Sequence, residues 1–381
     1  MGYPNLARSN LAPDQFDTTW PLVLPVRLFA YFPRAGLTHR MWLVDQAPVG
    51  SWYPIGLAWH DFDCDYFALI SDNARQRIQS GDIKILFYYH EGDNPADIKQ
   101  RMTWLCRQHH MPKNCYWFVS ANSAAKNIDQ FVYFPDHELF FQYINRRQHA
   151  EIDFIQPRAY DFTILSRTHK WWRATALADL ARDHLLDQSL WSYNIDVDIS
   201  DDPSQNPIGI DSIPGLRSHL EGFVSGGPYR CDGLDAQAHN DHRHVNLDLY
   251  QHSWCHVVLE THFDADQSGG TFLTEKTYKC LKFGQPFVIV GPPGSVAALR
   301  ERGYRMCDHA IDHSYDSVLD NTERWIAIKQ ELCALKSRMN LTWLQSCRAD
   351  LEWNRHHFMH AHGDLLENLV SRLSQLNTGT P

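Results

Sequence analysis

The densest chemistry in the sequence lies in Thr274-Glu275-Lys276-Thr277-Tyr278-Lys279, which leads into the apolar run Gln285-Pro286-Phe287-Val288-Ile289-Val290 and the turn Gly291-Pro292-Pro293-Gly294. Tyr278, Leu281 and Phe283 alternate with Lys279 and Lys282 at an amphipathic spacing, so the segment predicts a helix start with Thr274 as its cap. The amides of such a start, the positive end of the helix dipole and the ammonium of Lys276 converge on one point, which suits a diphosphate. Glu275 then needs a reason of its own. A carboxylate repels phosphate, but it can accept from both hydroxyls of a ribose. Together these residues read as a nucleotide-sugar site. The plainer alternative is that Glu275 is one of the acids common in a first helical turn.

Other constellations carry weaker signals. His90-Glu91-Gly92-Asp93 closes an apolar strand, and ligands collect at the carboxyl ends of strands in open α/β sheets. A carboxylate or imidazole there suits a general base for an acceptor hydroxyl. Glu91 is the candidate by position, with His90 and Asp93 as alternatives. The plainer reading is a solvated turn in which Asp93 or Asn94 caps the next helix. Asp61, Asp63 and Asp65, and again Asp196 and Asp198, have the Asp-x-Asp spacing that can hold a divalent metal, a spacing that chance supplies often in an acidic chain. His239, His242 and His244 lack a cysteine partner and i,i+4 spacing, so they read as a polar loop and not as a zinc site. The segment from His262 to Thr271, with Gly269 and Gly270, predicts a loop that could order over a ligand. Gly291 to Gly294 is neither a dinucleotide fingerprint nor a phosphate loop of the Gly-Lys-Ser/Thr kind.

The elements that must position these residues alternate between strand and helix. In the first part, strands are expected at Val23–Phe32, Tyr66–Ile70, Ile83–Tyr89 and Tyr116–Ser120, with helices at Asn73–Ser80 and from Ala96 to about His109. In the second, strands are expected at Phe162–Leu165, Leu190–Tyr193, Trp254–Glu260 and Phe287–Val290, with helices at Trp171–Asp183 and Thr274–Phe283. The stretch Trp343–Leu376 predicts a closing helix. The polar stretch Asn145–Ala150 marks a boundary. This gives an α/β chain of two Rossmann-like domains, 1–155 and 156–345, with a C-terminal helical segment, 346–381, packing back.

A length of 381 residues and 44% hydrophobic content fit two cores. No run of about 18 apolar residues occurs, and Met1-Gly2-Tyr3-Pro4-Asn5 lacks the basic patch of a secretory signal. Nine cysteines scattered singly read as reduced thiols, so a cytoplasmic protein without a membrane span is expected. A net charge of −10 disfavours a general nucleic-acid binder, although a local basic groove would be compatible with it.

The segment 271–295 resembles the donor-site motif of fucosyltransferase-like glycosyltransferases, in which a Glu-Lys pair opens a helix that runs into a strand bounded by Gly and Pro. The resemblance extends more loosely over residues 160–316. It implies the GT-B architecture, with Glu275 on the ribose and Lys276 on the diphosphate; Thr274 and Tyr278 belong to the same donor segment. It also implies a phosphate-binding arginine after the first strand of that domain, matched best by Arg173 in Ser166-Arg167-Thr168-His169-Lys170-Trp171-Trp172-Arg173, with Arg167 as second choice. It implies a glutamate base in the amino-terminal half, hence Glu91. The activity implied is inverting, metal-independent transfer from a nucleoside-diphosphate sugar, GDP-linked by preference, with no cofactor beyond that co-substrate. A glycan, a small molecule, a protein or a hydroxylated base in phage-type DNA would serve as acceptor. A noncatalytic protein that keeps a glycan- or nucleotide-binding cleft is the rival expectation.

Overall fold

The computed structural model describes residues 5–8, 31, 40–57, 65–149, 153–194, 206–231, 245–360 and 362–377. Asp61, Asp63, Asp196, Asp198, His239, His242, His244 and all of the expected strand 23–32 except Tyr31 lie outside them. The chain forms two mixed α/β units, each built on a parallel sheet flanked by helices. The first comprises Met1–Asp136, Gln267–Gly270 and His360–Pro381; the second comprises His137–Asp266 and Thr271–Met359.

The first unit holds β1 (Asn5–Arg8), β2 (Arg40–Leu43), β3 (Ser51–Leu57), β4 (Ile83–Tyr89), β5 (Tyr116–Ser120) and β6 (Phe131–Tyr133) in the order β2-β1-β3-β4-β5-β6. Every pairing is parallel. Strand β4 is covered on both faces, as a near-continuous apolar run in a parallel sheet must be. Helices α1 (Asp72–Gln79) and α2 (Pro95–Gln108) flank the sheet, and the side chain of Asn94 caps α2 by accepting from the Ala96 amide at 3.0 Å. Two expectations are corrected here. Tyr66–Leu69 is a helical turn and not a strand, because the Asp65 carboxylate accepts from the Ala68 amide at 3.2 Å and closes the turn locally. Strand β3 was not foreseen; it contains Pro54, which lacks the amide that a strand pattern presumes, yet pairs with Leu86 in register.

The second unit runs α3 (Asp136–Ile144), β7 (Tyr160–Ser166), α4 (Trp171–Arg182), β8 (Leu190–Tyr193), α5 (Leu216–Gly226), β9 (Ser253–Leu259), α6 (Glu275–Phe283), β10 (Phe287–Val290), α7 (Ser295–Glu301), α8 (Asn321–Arg338) and α9 (Leu341–His360). Its sheet order is β10-β9-β7-β8, all parallel. The chain leaves β7 toward β8 and returns on the other side to β9, so the topological switch point lies between the carboxyl ends of β7 and β9. The single closing helix expected over Trp343–Leu376 is two helices, α9 and α10 (His362–Asn377), and α10 belongs to the first unit, where Lys84 Nζ donates to the Leu376 carbonyl at 3.3 Å. Among the described residues no helix is long and apolar enough to cross a membrane.

Candidate functional site

Helix α6 divides its residues between two jobs. Thr277, Tyr278, Cys280, Leu281 and Phe283 are buried, whereas Glu275, Lys276 and Lys279 keep partial exposure on the other face. Burying the large apolar side chains stabilises the helix position by about 1.5 to 3 kcal/mol each, so the polar face is held by the core and not by the site itself. Gly284 ends the helix at φ 62°, a left-handed conformation that glycine adopts without strain.

The helix start is pinned from below by Glu260, the residue after β9. Its carboxylate is fully buried and accepts from the Thr274 amide at 3.1 Å, the Thr274 hydroxyl at 2.7 Å and the Thr277 hydroxyl at 2.5 Å. Thr274 Oγ1 in turn accepts from the Lys276 amide at 3.5 Å and from Lys276 Nζ at 3.1 Å, so Thr274 is the cap. A negative charge under a helix amino terminus is favourable. Sequence reading missed Glu260 as part of the site, although a carboxylate at the end of a parallel strand beside a switch point is a topological signal.

Above this base lies a crowded set of charges. Glu275 Oε1 is 3.6 Å from Lys276 Nζ, and Glu275 Oε2 is 3.5 Å from His137 Nδ1. Lys276 Nζ also donates to Thr261 Oγ1 at 3.4 Å, and Lys170 Nζ donates to the Thr261 carbonyl at 3.0 Å. Lys279 stands one turn after Glu275. Burial lowers its pKa, the Glu275 charge opposes that shift, and Lys276 and Arg167 add to it by repulsion. Arg167, the residue after β7, is exposed; loss of solvent lowers its pKa and the Glu275 charge again works in the opposite direction. Lys276 thus stands beside the Glu275 carboxylate, with Lys279 one turn further along α6 and Arg167 following β7 at the switch point of this sheet.

The remaining candidates of this unit fall elsewhere. Arg173 is 2% exposed, and its guanidinium donates to the carbonyls of Glu260 at 2.5 Å and Leu259 at 3.4 Å and to Thr168 Oγ1 at 2.8 Å. It thus supports the end of β9 beneath the site. Tyr278 is 1% exposed and stacks on Phe358 with centroids 6.2 Å apart, so it is a packing residue of α6. His137, whose ring stands edge-on to the buried Phe272 at 5.1 Å, was not legible in the sequence, because it comes from 138 positions upstream of Glu275.

The turn after β4 belongs to the first unit. His90 Nε2 lies 3.2 Å from Glu91 Oε1, and the Tyr89 hydroxyl donates to Asp93. Burial, with Asp93 next in importance, pushes the Tyr89 phenol far above its ordinary range, so it stays a neutral donor. Asn122 fixes the turn through Nδ2, which donates to the Gly92 carbonyl at 2.8 Å and to the Ser268 carbonyl at 2.6 Å. The expected loop over 262–271 includes a short helix, Ala265–Ser268, and Gly270 sits so close to Asn122 and the Ala124 amide that a Cβ there would meet both within 2.7 Å.

A cavity of about 900 Å³ opens elsewhere in the second unit, among Gly294, Ala297, His313, Asp316 and Trp343, and includes none of the candidates. Its polar walls serve the fold: Asp316 accepts from the Val296 and Ala297 amides, and His313 joins the Tyr315 hydroxyl to the Met306 carbonyl. In comparisons with known proteins, no family model matches the chain and no curated protein matches it.

Proposed function

We propose that the protein is a glycosyltransferase of the GT-B kind that takes a nucleoside-diphosphate sugar on its second unit. The observation that carries this reading is Lys276 beside Glu275 at 3.6 Å at the start of α6, with Lys279 one turn further along that helix and Arg167 following β7, at the switch point between β7 and β9. Like charges held together in a half-buried site cost free energy until an anion arrives, and a diphosphate gains charge as it leaves a sugar. Such a site therefore binds the departing group more strongly than the intact donor, which is what lowers a barrier. Glu275 works against phosphate binding and finds its use on the ribose hydroxyls.

In this reading Lys276 and Arg167 hold the diphosphate, with Lys279 adding positive charge. Arg173 supports the strand end that carries Glu260. The acceptor proton goes to Glu91, with His90 beside it at 3.2 Å to hold the carboxylate. Asp93 is the poorer base, since the Tyr89 hydroxyl already donates to its carboxylate. The donor sugar is GDP-linked by resemblance alone.

The test is a thermal-shift series with GDP, UDP, ADP, CMP and dTDP, followed by incubation of the sugar form of any binder with candidate acceptors. A ligand at one hundred times its Kd adds about 2.7 kcal/mol of stability, enough to raise Tm by several degrees. Release of free nucleoside diphosphate that depends on acceptor is the expected result. No shift with any nucleotide would overturn the reading, and binding without release would turn it toward a noncatalytic nucleotide-binding protein.

A further inference from the structure

The carboxylate of Glu275 is bracketed. Lys276 Nζ faces Oε1 at 3.6 Å and His137 Nδ1 faces Oε2 at 3.5 Å, with the side chains of Glu275 and His137 only 13% and 11% exposed. These contacts are longer than strong hydrogen bonds. Their effect is to fix the plane of the carboxylate from two sides. Lys276 has a second duty on Thr274 Oγ1 and Thr261 Oγ1, whereas His137 approaches from a separate element, helix α3.

The His137 ring is itself held. Phe272, fully buried, meets it edge-on at 5.1 Å and 83°, and Phe140 meets it at 6.4 Å and 80°. Phe272 is in turn flanked by His262 at 5.9 Å. Aromatic packing of this kind limits the ring to a narrow range of orientations. Phe272 also lies three residues before Glu275, so the residue that wedges the imidazole sits on the segment that delivers the carboxylate.

A ribose diol presents two hydroxyls at a fixed separation, and a carboxylate takes both only when its plane matches theirs. From this bracket we infer that His137 is a positioning residue, which together with Lys276 fixes the plane of the Glu275 carboxylate toward the sugar hydroxyls of the nucleotide, and so sets the preference for ribose over deoxyribose. The inference rests on the ribose role given to Glu275 above.

The experiment measures, by calorimetric titration, the affinities of GDP, UDP, their 2′-deoxy counterparts and inorganic pyrophosphate for the full chain and for His137→Ala and His137→Gln. In the unchanged protein, loss of the 2′-hydroxyl should weaken binding by about tenfold, as expected for one hydrogen bond to a charged group. His137→Ala should remove most of that preference while leaving pyrophosphate affinity near its original value. His137→Gln, which keeps a side-chain donor, should restore a large part of it. A merely structural role would lower ribonucleotide, deoxyribonucleotide and pyrophosphate together, and that result in both variants overturns the inference. Retention of the full ribose preference in His137→Ala overturns it as well. An unchanged protein that binds the nucleotides with no ribose preference sinks the ribose role of Glu275 itself, and His137 with it; that outcome shows in the first titrations, before any variant is made.

Discussion

Replacing Glu275 and Lys276 one at a time gives the sharpest view of the candidate site, because the two should shift nucleotide affinity in different ways. Lys276 Nζ is 27% exposed in its side chain and already touches Thr274, Thr261 and Glu275, so it is ordered before any ligand arrives. A charge-assisted hydrogen bond contributes about 1.5 to 3 kcal/mol, and each 1.4 kcal/mol is tenfold in affinity. Lys276→Ala should therefore weaken a nucleoside diphosphate by about 10-fold to 150-fold. The lower part of that range is favoured by Lys279, which is relieved of a like charge and takes up part of the load. The bare nucleoside should lose little. Glu275→Ala should do the reverse: the nucleoside loses its ribose contact, by about tenfold or more on the same scale, while the diphosphate loses less, since a carboxylate 3.6 Å from Lys276 is no longer there to compete. The ratio of diphosphate to nucleoside affinity should narrow in the first variant and widen in the second. Calorimetric titration with both ligands measures it. Wild-type affinities in both variants would mean that the helix start is purely structural, and the nucleotide reading would lose its support.

Three further outcomes are expected. Glu91→Gln should keep donor affinity and lower turnover by about 10² to 10⁴, checked by steady-state kinetics with saturating donor; near-normal turnover would move the base to His90 or Asp93. Because Arg167, Lys276 and Lys279 supply the counter-charge that a leaving diphosphate needs, turnover should persist in excess EDTA, and its abolition with rescue by manganese or magnesium would shift attention to Asp196 and Asp198. Lys282 is buried with Nζ on the Asn145 side chain at 2.7 Å, and burial lowers its pKa from 10.5 to about 8. The unfolded chain thus binds the extra proton between those values, so stability should rise as pH goes from about 8 to 10.5; Lys282→Met should lose that rise in denaturant titrations at constant ionic strength, and an unchanged profile would refute it.

What the sequence disclosed depended on how local the cause was. Thr274 as a cap, the two faces of α6 and the strand β10 follow from residues a few positions apart, and they were legible for that reason. Glu260 and His137 were not, because their roles exist only where β9 and α3 meet the start of α6. The resemblance matched Arg173 to a phosphate-binding arginine, but nothing in sequence tells whether a guanidinium faces solvent or the carbonyls of a strand end, and here it faces the latter. Pro54 hid β3 because a proline lacks one ladder donor, whereas the neighbours Trp52, Tyr53, Ile55 and Leu57 bury enough surface to keep the strand in place. Tyr66–Leu69 has a strand's composition and a cap's environment, and the cap decided it.

Residues 360–377 belong to the first unit although the whole of the second is made before them. Leu366, Leu369, Val370 and Leu373 of α10 are each at most 4% exposed, and such side chains contribute about 1.5 to 3 kcal/mol apiece when buried. During synthesis the roughly 220 residues between Asp136 and His360 take on the order of 10 to 45 seconds to emerge. Through that interval the nascent first unit lacks α10 and the apolar side chains that it buries. Order of synthesis and order of completion are therefore inverted: the unit that is begun first is finished last, and a ribosome stalled late in the message leaves a chain whose defect lies near its beginning.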